Sequence, residues 1–364
     1  MNSYKLLTPG PLTTTSSVKE EMLVDRCTWD DSYKSITQKI RSQLLALAGT
    51  APEQYTAVLM QGSGTFAVEA VMTSAVSGTD KVLIVTNGAY GERIVEMARY
   101  IGLPYAEYRV GYDQYPDEAE LEAILEEDRL ITHLAIVHCE TTTGILNPLE
   151  KIAAIAKAYK KTLIVDAMSS FGGIEIDVAG LGIDYLISSA NKCIQGVPGF
   201  GFVIAKLDKL AACRGVARSL SLDLYDQWKG MDKDGKWRFT SPTHVVAAFS
   251  KALDELEAEG GIPARYERYR HNNELLRDGL GKLGIHPYIS GEKQSPIITT
   301  FLYPDETFRF DEFYGYVKER GYVIYPGKLT DVDTFRIGNI GEIYEEDIER
   351  LCSIIEQYRG GTGR

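Results

Sequence analysis

Tyr185-Leu186-Ile187-Ser188-Ser189-Ala190-Asn191-Lys192 runs from an apolar strand through small polar residues to a lysine. Lysine is normally a surface residue, so one standing where a buried strand ends asks for a chemical explanation. Desolvation lowers the pKa of an amine and makes it a nucleophile towards aldehydes. Taken alone, Lys192 reads as a solvated loop lysine. Upstream, Leu163-Ile164-Val165 ends on Asp166 in the same manner. The carboxyl ends of parallel strands form the usual binding crevice of an open α/β sheet, where a carboxylate can pair with a cationic heterocycle. Alone, Asp166 is as readily a cap for the turn carrying Ser169 and Ser170.

Similar apolar runs recur around this pair, at Ala57–Met60, Val82–Val85, Leu134–Val137 and Phe202–Ile204. Amphipathic stretches separate several of them, such as Glu92–Tyr100, Glu118–Leu125 and Ile152–Tyr159, and Ile36, Ile40, Leu44 and Leu47 recur at helical spacing before the first. Buried strands alternating with helices predict an α/β fold with a mainly parallel sheet covered on both faces. From His244 to Gly284 the chain reads as long helices interrupted at Gly260-Gly261-Ile262-Pro263, and sparser strands follow near Ile297–Phe301, Val323–Tyr325 and Phe335–Ile337, with helices at Asp311–Arg320 and Glu345–Tyr358. The expected division is an N-terminal arm over 1–15, a large domain over 16–260 and a smaller α+β C-terminal domain over 261–364.

The 364 residues, 44% of them hydrophobic, can bury a core of that size. Acidic residues outnumber basic ones by 51 to 39, for a net charge of -12, and no basic cluster offsets it, which argues against nucleic acid or an anionic membrane as partner. No apolar run approaches spanning length, and Pro9-Gly10 interrupts the start before a signal-peptide core could form, so a cytoplasmic protein is expected. The five cysteines are odd in number, lack a Cys-x-x-Cys pair and read as reduced thiols, with neither a disulfide framework nor a metal site suggested.

Gln61-Gly62-Ser63-Gly64-Thr65 follows the first strand and opens the apolar-periodic stretch Phe66–Val76. Free N–H groups at a helix start, two glycines and two hydroxyls make an anion cradle, although taken alone Ser63 or Thr65 as an ordinary N-cap is the better reading. It matches neither the P-loop nor the dinucleotide pattern. A phosphate cradle, an aspartate for a pyridinium nitrogen and a nucleophilic lysine at successive strand ends are together the parts that hold pyridoxal 5'-phosphate. Asn87-Gly88-Ala89-Tyr90-Gly91 puts an aromatic ring at another strand end, and His138-Cys139-Glu140-Thr141-Thr142-Thr143-Gly144 offers hydroxyls at a further one. A packing tyrosine, and a Thr-rich turn with a core histidine, are the plainer readings of these two segments.

The arm Leu6-Leu7-Thr8-Pro9-Gly10-Pro11, the Gly62–Thr65 turn, the His138–Gly144 segment, Asp166-Ala167-Met168-Ser169-Ser170, Asn191-Lys192 and Phe335-Arg336-Ile337-Gly338-Asn339 resemble class V aminotransferases, of the type I fold of pyridoxal-phosphate enzymes. Within the class, Cys27–Asp31, Ser188–Gly199 and Ser219–Trp228 resemble the members that transaminate 2-aminoethylphosphonate with pyruvate. The match runs nearly end to end, with no departure at a catalytic position. It implies a seven-stranded sheet sandwiched by helices, Lys192 as the Schiff-base lysine and Asp166 on the pyridine nitrogen. It further implies Ser63, Gly64, Thr65 and Asn191 at the cofactor phosphate, with Thr240 of the partner subunit, hence a homodimer. Tyr90 would stack on one ring face and Met168 cover the other. Thr141 would meet the phenolic oxygen, and Arg336 the substrate anion, with Arg238 and Lys328 the next cations to try for a phosphonate. The nearest alternative is alanine–glyoxylate or serine–pyruvate transamination. A desulfurase-like lyase would need a mobile-loop cysteine, which Cys352 and Cys193 do not supply, and a non-enzymatic role sits badly with an intact Lys192, Asp166 and Arg336.

Overall fold

The computed structural model describes residues 4–361, so the first three residues of the expected arm and the last three of the C-terminal segment lie outside the described residues. After the arm strand β1 (Lys5–Leu6) and helix α1 (Asp31–Leu47), strands and helices alternate. They are β2 (Tyr55–Gln61), α2 (Gly64–Ala75), β3 (Lys81–Thr86), α3 (Ala89–Ile101), β4 (Tyr105–Arg109), α4 (Glu118–Glu127), β5 (Ile131–Val137), α5 (Leu149–Ala158), β6 (Thr162–Asp166), β7 (Tyr185–Ser189) and β8 (Phe200–Lys206).

These strands form one seven-stranded sheet in the order β2-β8-β7-β6-β5-β3-β4. Only β8 is reversed, antiparallel to both β7 and β2. The segment joining β7 to β8 holds no crossover helix, so the chain returns antiparallel, and Lys192 rides on that return. Alternate residues of each strand feed opposite faces. Leu83, Val85, Leu134, Ile136, Leu163 and Val165 pack with Ile40, Leu44, Leu121 and Ile152 of α1, α4 and α5. Val82, Ile84, Ala135, Val137 and Ile164 pack with Val68, Val71, Ile94 and Met97 of α2 and α3. Burial on both faces is why the strands read as unbroken apolar runs. The strand β4, at the sheet edge, is absent from the sequence reading because Tyr105-Ala106-Glu107-Tyr108-Arg109 has the polar alternation of an exposed edge.

Helix α6 (Thr243–Glu259) ends at Gly260 in the left-handed region (φ 110), and α7 (Gly261–Gly281) starts at once, so the expected interruption is a sharp turn between two helices. Then come β9 (Ile298–Leu302), α8 (Phe310–Glu319), β10 (Tyr322–Val323), β11 (Tyr325–Pro326), β12 (Thr334–Gly338) and α9 (Glu345–Gly361). The sheet β9-β12-β11 is antiparallel and packs a separate aromatic core that includes Phe301, Phe313 and Phe335. The single strand expected over Val323–Tyr325 is in fact two. Tyr322–Val323 pairs with the arm strand β1, Tyr325–Pro326 pairs with β12, and Ile324 between them is buried. Proline lacks the N–H to extend either ladder. Leu7 of the arm joins the C-terminal core, so the arm is held at the far end of the chain. Among the described residues no helix is long and apolar enough to cross a membrane.

Candidate active site

Four strand ends meet at one cavity of about 210 Å³, whose wall includes Ser63, Gly64, Thr65, Tyr90, Asp166, Met168, Asn191 and Lys192. The end of β2 leads into Ser63 and the start of α2, the end of β3 into Tyr90 and the start of α3. Asp166 is the last residue of β6, and Lys192 follows β7. Eight of the residues singled out from sequence thus share one wall. Thr141 and Arg336 stand behind it. Arg336, only 3% exposed on β12, donates from Nη1 to the Thr141 carbonyl at 3.2 Å and from Nε to the Pro326 carbonyl at 3.0 Å. Thr240 does not reach this cavity; it is exposed in the segment before α6.

Lys192 meets the arm. Its Nζ donates to the Pro9 carbonyl at 2.5 Å. The arm approaches this closely because residue 10 is glycine, at φ +106: a Cβ there would lie 2.8 Å from Lys192 Cδ. Burial holds the Lys192 amine below its ordinary pKa, against the opposing pull of Tyr90 and Asp166. A lysine so placed carries an amine that deprotonates readily.

Asp166 is pushed up to about 6 by burial, with the Met168 N–H, at 2.9 Å on Oδ1, pulling the other way. Its second oxygen takes no hydrogen bond from the described residues. A buried carboxylate with a spare oxygen at a cavity wall lacks a cationic partner. Ser63 is the N-cap of α2, yet its side chain makes no capping bond, so the plain N-cap reading fails and the hydroxyl is left for something else at the helix's positive end. His138, by contrast, is a core histidine: Nδ1 lies 2.9 Å from Ser170 Oγ, and burial lowers the imidazole to about 4.

Glu140 and Arg93 were not singled out in the sequence reading, and Lys328 only as a fallback, with Arg238, for the phosphonate. Glu140, fully buried, accepts from the Tyr90 and Gly91 N–H groups on Oε2 at 3.1 and 3.2 Å, and from the Thr142 N–H and hydroxyl on Oε1 at 3.1 and 2.6 Å. The N-cap of α3 is Gly88, which has no side chain, so a glutamate from the neighbouring strand end caps the helix that carries Tyr90. Arg93, one turn into α3, stands over the Tyr90 ring at 4.8 Å and lines the cavity. Lys328, in the segment between β11 and β12, donates to the Tyr90 hydroxyl at 3.2 Å. Burial would raise the Tyr90 phenol, but the charges of Lys192 and Lys328 outweigh it and hold it below the ordinary value. The only sequence sign of Glu140 was its place in the His138–Gly144 segment; Arg93 and Lys328 look like any helix and loop cation.

An electron-poor pyridine ring with a phosphate arm and an aldehyde fits this donor set. The spare Asp166 oxygen suits a protonated ring nitrogen, the uncapped start of α2 with Ser63 and Thr65 suits the phosphate, and the Lys192 amine suits the aldehyde. Cys193, which donates to the Ser169 carbonyl, and Cys352, on α9, are not placed to act as sulfur carriers.

The family model described as aminotransferase class V matches residues 28–324. A 2-aminoethylphosphonate–pyruvate transaminase of Lysinibacillus sphaericus is 65% identical over 358 residues, 98% of each chain. One from Bacillus cereus is 59% identical over 97% of each chain. Among solved structures, alanine–glyoxylate aminotransferase of Nostoc sp. superposes with a TM-score of 0.91 at 26% identity, covering 98% of this chain and 95% of that one. Pyridoxamine–pyruvate aminotransferase of Mesorhizobium loti has the same TM-score at 21% identity, covering 100% of this chain and 94% of that one, a likeness of fold.

Proposed function

The chain belongs to the class V aminotransferase family, and on that footing we propose that it moves the amino group of 2-aminoethylphosphonate to pyruvate, giving phosphonoacetaldehyde and L-alanine. The observation that carries this reading is the 65% identity, over nearly the whole of both chains, to a transaminase of that name. The alternative, an alanine–glyoxylate enzyme, rests on a likeness of only 26% identity.

Bound at the cavity, pyridoxal phosphate supplies an electron-poor ring that takes up the electron pair left when a substrate C–H proton is removed. The chain's own residues do the rest. The Lys192 amine would hold the cofactor and, once free, take the proton from the amine-bearing carbon and give it back to the cofactor, so that the amino group can leave the substrate. Asp166 holds a positive charge at the ring nitrogen. Ser63, Gly64, Thr65 and Asn191 grip the phosphate, and Thr240 of the partner subunit completes that grip in a homodimer. Tyr90 and Met168 sandwich the ring, and Thr141 steadies its phenolic oxygen. Arg336 orients the anionic end of each substrate, its fork matched to two oxygens. A division into an arm (1–15), a large domain (16–260) and a small one (261–364) fits these roles: the cofactor set comes from the large unit, while the small one brings Arg336.

The direct test follows L-alanine formation from 2-aminoethylphosphonate and pyruvate, with glyoxylate as rival acceptor and serine as rival donor. Turnover with 2-aminoethylphosphonate far above that with serine is expected. Turnover only with the rival pair would overturn the assignment.

A further inference from the structure

The Tyr90 hydroxyl is where cations from separate parts of the chain converge. Lys328 donates to it and stands 4.4 Å from the ring centroid, Arg336 lies beside it, and the charge of Lys192 acts on it. Lys328 and Arg336 come from one antiparallel pair: Lys328 follows β11, and Arg336 on β12 lies opposite Tyr325. Neither makes an ion pair with a carboxylate among the described residues. Arg336 is held by two backbone carbonyls, and Lys328 by a phenol alone. In a chain whose acidic residues outnumber its basic ones by 51 to 39, carboxylate partners are plentiful, so two adjacent cations without one leave positive charge for a ligand.

The two cations differ in what they can do. A guanidinium fork matches two coplanar oxygens, which a carboxylate and a phosphonate both offer. A phosphonate carries a third oxygen and, once fully ionised, a second negative charge. An ammonium is a compact point charge on a flexible stem, suited to that remaining oxygen. Resting on the reading that 2-aminoethylphosphonate is a substrate, we propose that Lys328 is the residue that selects phosphonate over carboxylate. Arg336 takes the two oxygens common to both anions, and Lys328 leaves the Tyr90 hydroxyl to take the third oxygen of the phosphonate. When the carboxylate of alanine or pyruvate is bound, Lys328 stays on Tyr90. One arginine thus serves both half-reactions, and the extra charge of one substrate meets an extra cation.

The test uses ethylphosphonate and propionate, which lack an amine and bind without reacting, titrated calorimetrically into the holoenzyme as wild type, Lys328→Gln and Lys328→Arg. Lys328→Gln should weaken ethylphosphonate on the order of 10- to 100-fold, the worth of one hydrogen bond between charged groups, and propionate by less than about 3-fold. Lys328→Arg should restore most of the ethylphosphonate affinity. In single-turnover reactions, Lys328→Gln should shift the kcat/KM ratio towards L-alanine by a factor similar to that in binding. Equal weakening of both anions, or no weakening of either, overturns the proposal. Lys328-dependent ethylphosphonate binding in a wild type that does not turn over 2-aminoethylphosphonate would support it while overturning the substrate assignment.

Discussion

Arg336 Nη1 and the Thr141 carbonyl oxygen, 3.2 Å apart, join the small antiparallel sheet to the segment that follows β5 of the large one. A second bond, to Pro326, leaves the guanidinium tethered at two points before any substrate arrives. A cation fixed in advance loses little entropy on binding, which suits the orienting role proposed for Arg336.

Arg336→Lys keeps the charge but has one nitrogen where the fork has three, so it cannot hold both carbonyls and a two-oxygen anion. We expect kcat/KM to fall on the order of 100-fold for both 2-aminoethylphosphonate and L-alanine, the scale of losing a buried charged hydrogen bond, with cofactor affinity nearly unchanged. Stopped-flow spectra of each half-reaction check this. A collapse with alanine alone would place the phosphonate on other residues. Of the two fallback cations named from the sequence, Arg238 is already paired with Asp226 at 3.0 Å and bonded to the Leu220 carbonyl, which makes Lys328 the first to test.

Borohydride treatment of the yellow holoenzyme should fix the cofactor on Lys192, found by peptide mapping. Lys192→Ala should still bind the cofactor weakly and lose transamination, because the proton-transfer base is gone. Label on another lysine, or turnover in the variant, would contradict the assignment.

Removing the cofactor should expose the strain at Asp166. Its carboxyl is raised from 3.8 to about 6 by burial, so between those pH values the folded apoprotein binds the proton better than the unfolded chain does. Stability is therefore lost as pH rises through that window, and above it the deficit is roughly 3 kcal/mol. Apo Asp166→Asn, which keeps an acceptor for the Met168 N–H, should be more stable than apo wild type at pH 7.5, and the gap should shrink towards pH 4.5. Thermal melts at the two pH values measure it. In the holoenzyme the same substitution should slow both half-reactions, since the charge that keeps the ring nitrogen protonated is gone.

Glu140→Ala strands four donors, at least three of them in a dry interior, and frees the start of α3. We expect a loss of about 2 kcal/mol or more in urea unfolding and a weakened visible circular dichroism band of the bound cofactor, because Tyr90 is no longer fixed. Glu140→Gln, which keeps the shape, should lose less on both counts.

Thr240 stands exposed outside its own cavity, so the phosphate contact assigned to it requires a second copy. Sedimentation should show a dimer, and Thr240→Val should weaken cofactor binding without changing that assembly. A monomer that retains full cofactor affinity would remove Thr240 from the site.

What was legible in the sequence follows from periodicity. The two-sided strands of the large sheet read as apolar runs because both faces are covered, and the residues that end them were legible as site candidates for the same reason. The edge strand β4 was not legible, because one covered face leaves Glu107 and Arg109 in view. Nor was the split at Ile324, which depends on β1 and β12 competing for one stretch of chain. Glu140 has no sequence signature, since its work is to cap a helix that starts fifty residues earlier. Lys328 could be named from sequence only as one of two fallback cations, and its bond to Tyr90 is what sets it apart from Arg238.

The arm strand β1 has its partner, β10, roughly three hundred residues downstream, a separation that makes such a pairing late to form. On the ribosome, residues 5–6 emerge early and stay unmatched until Tyr322 and Val323 have been made. The strand ends bearing Ser63, Asp166 and Lys192 are all synthesised well before that. Lys192 is thus synthesised before the pairing with β10 can fix the arm, and with it the Pro9 carbonyl, at the amine. Shortening the arm so that β1 is lost would remove the pairing that holds Pro9 against Lys192.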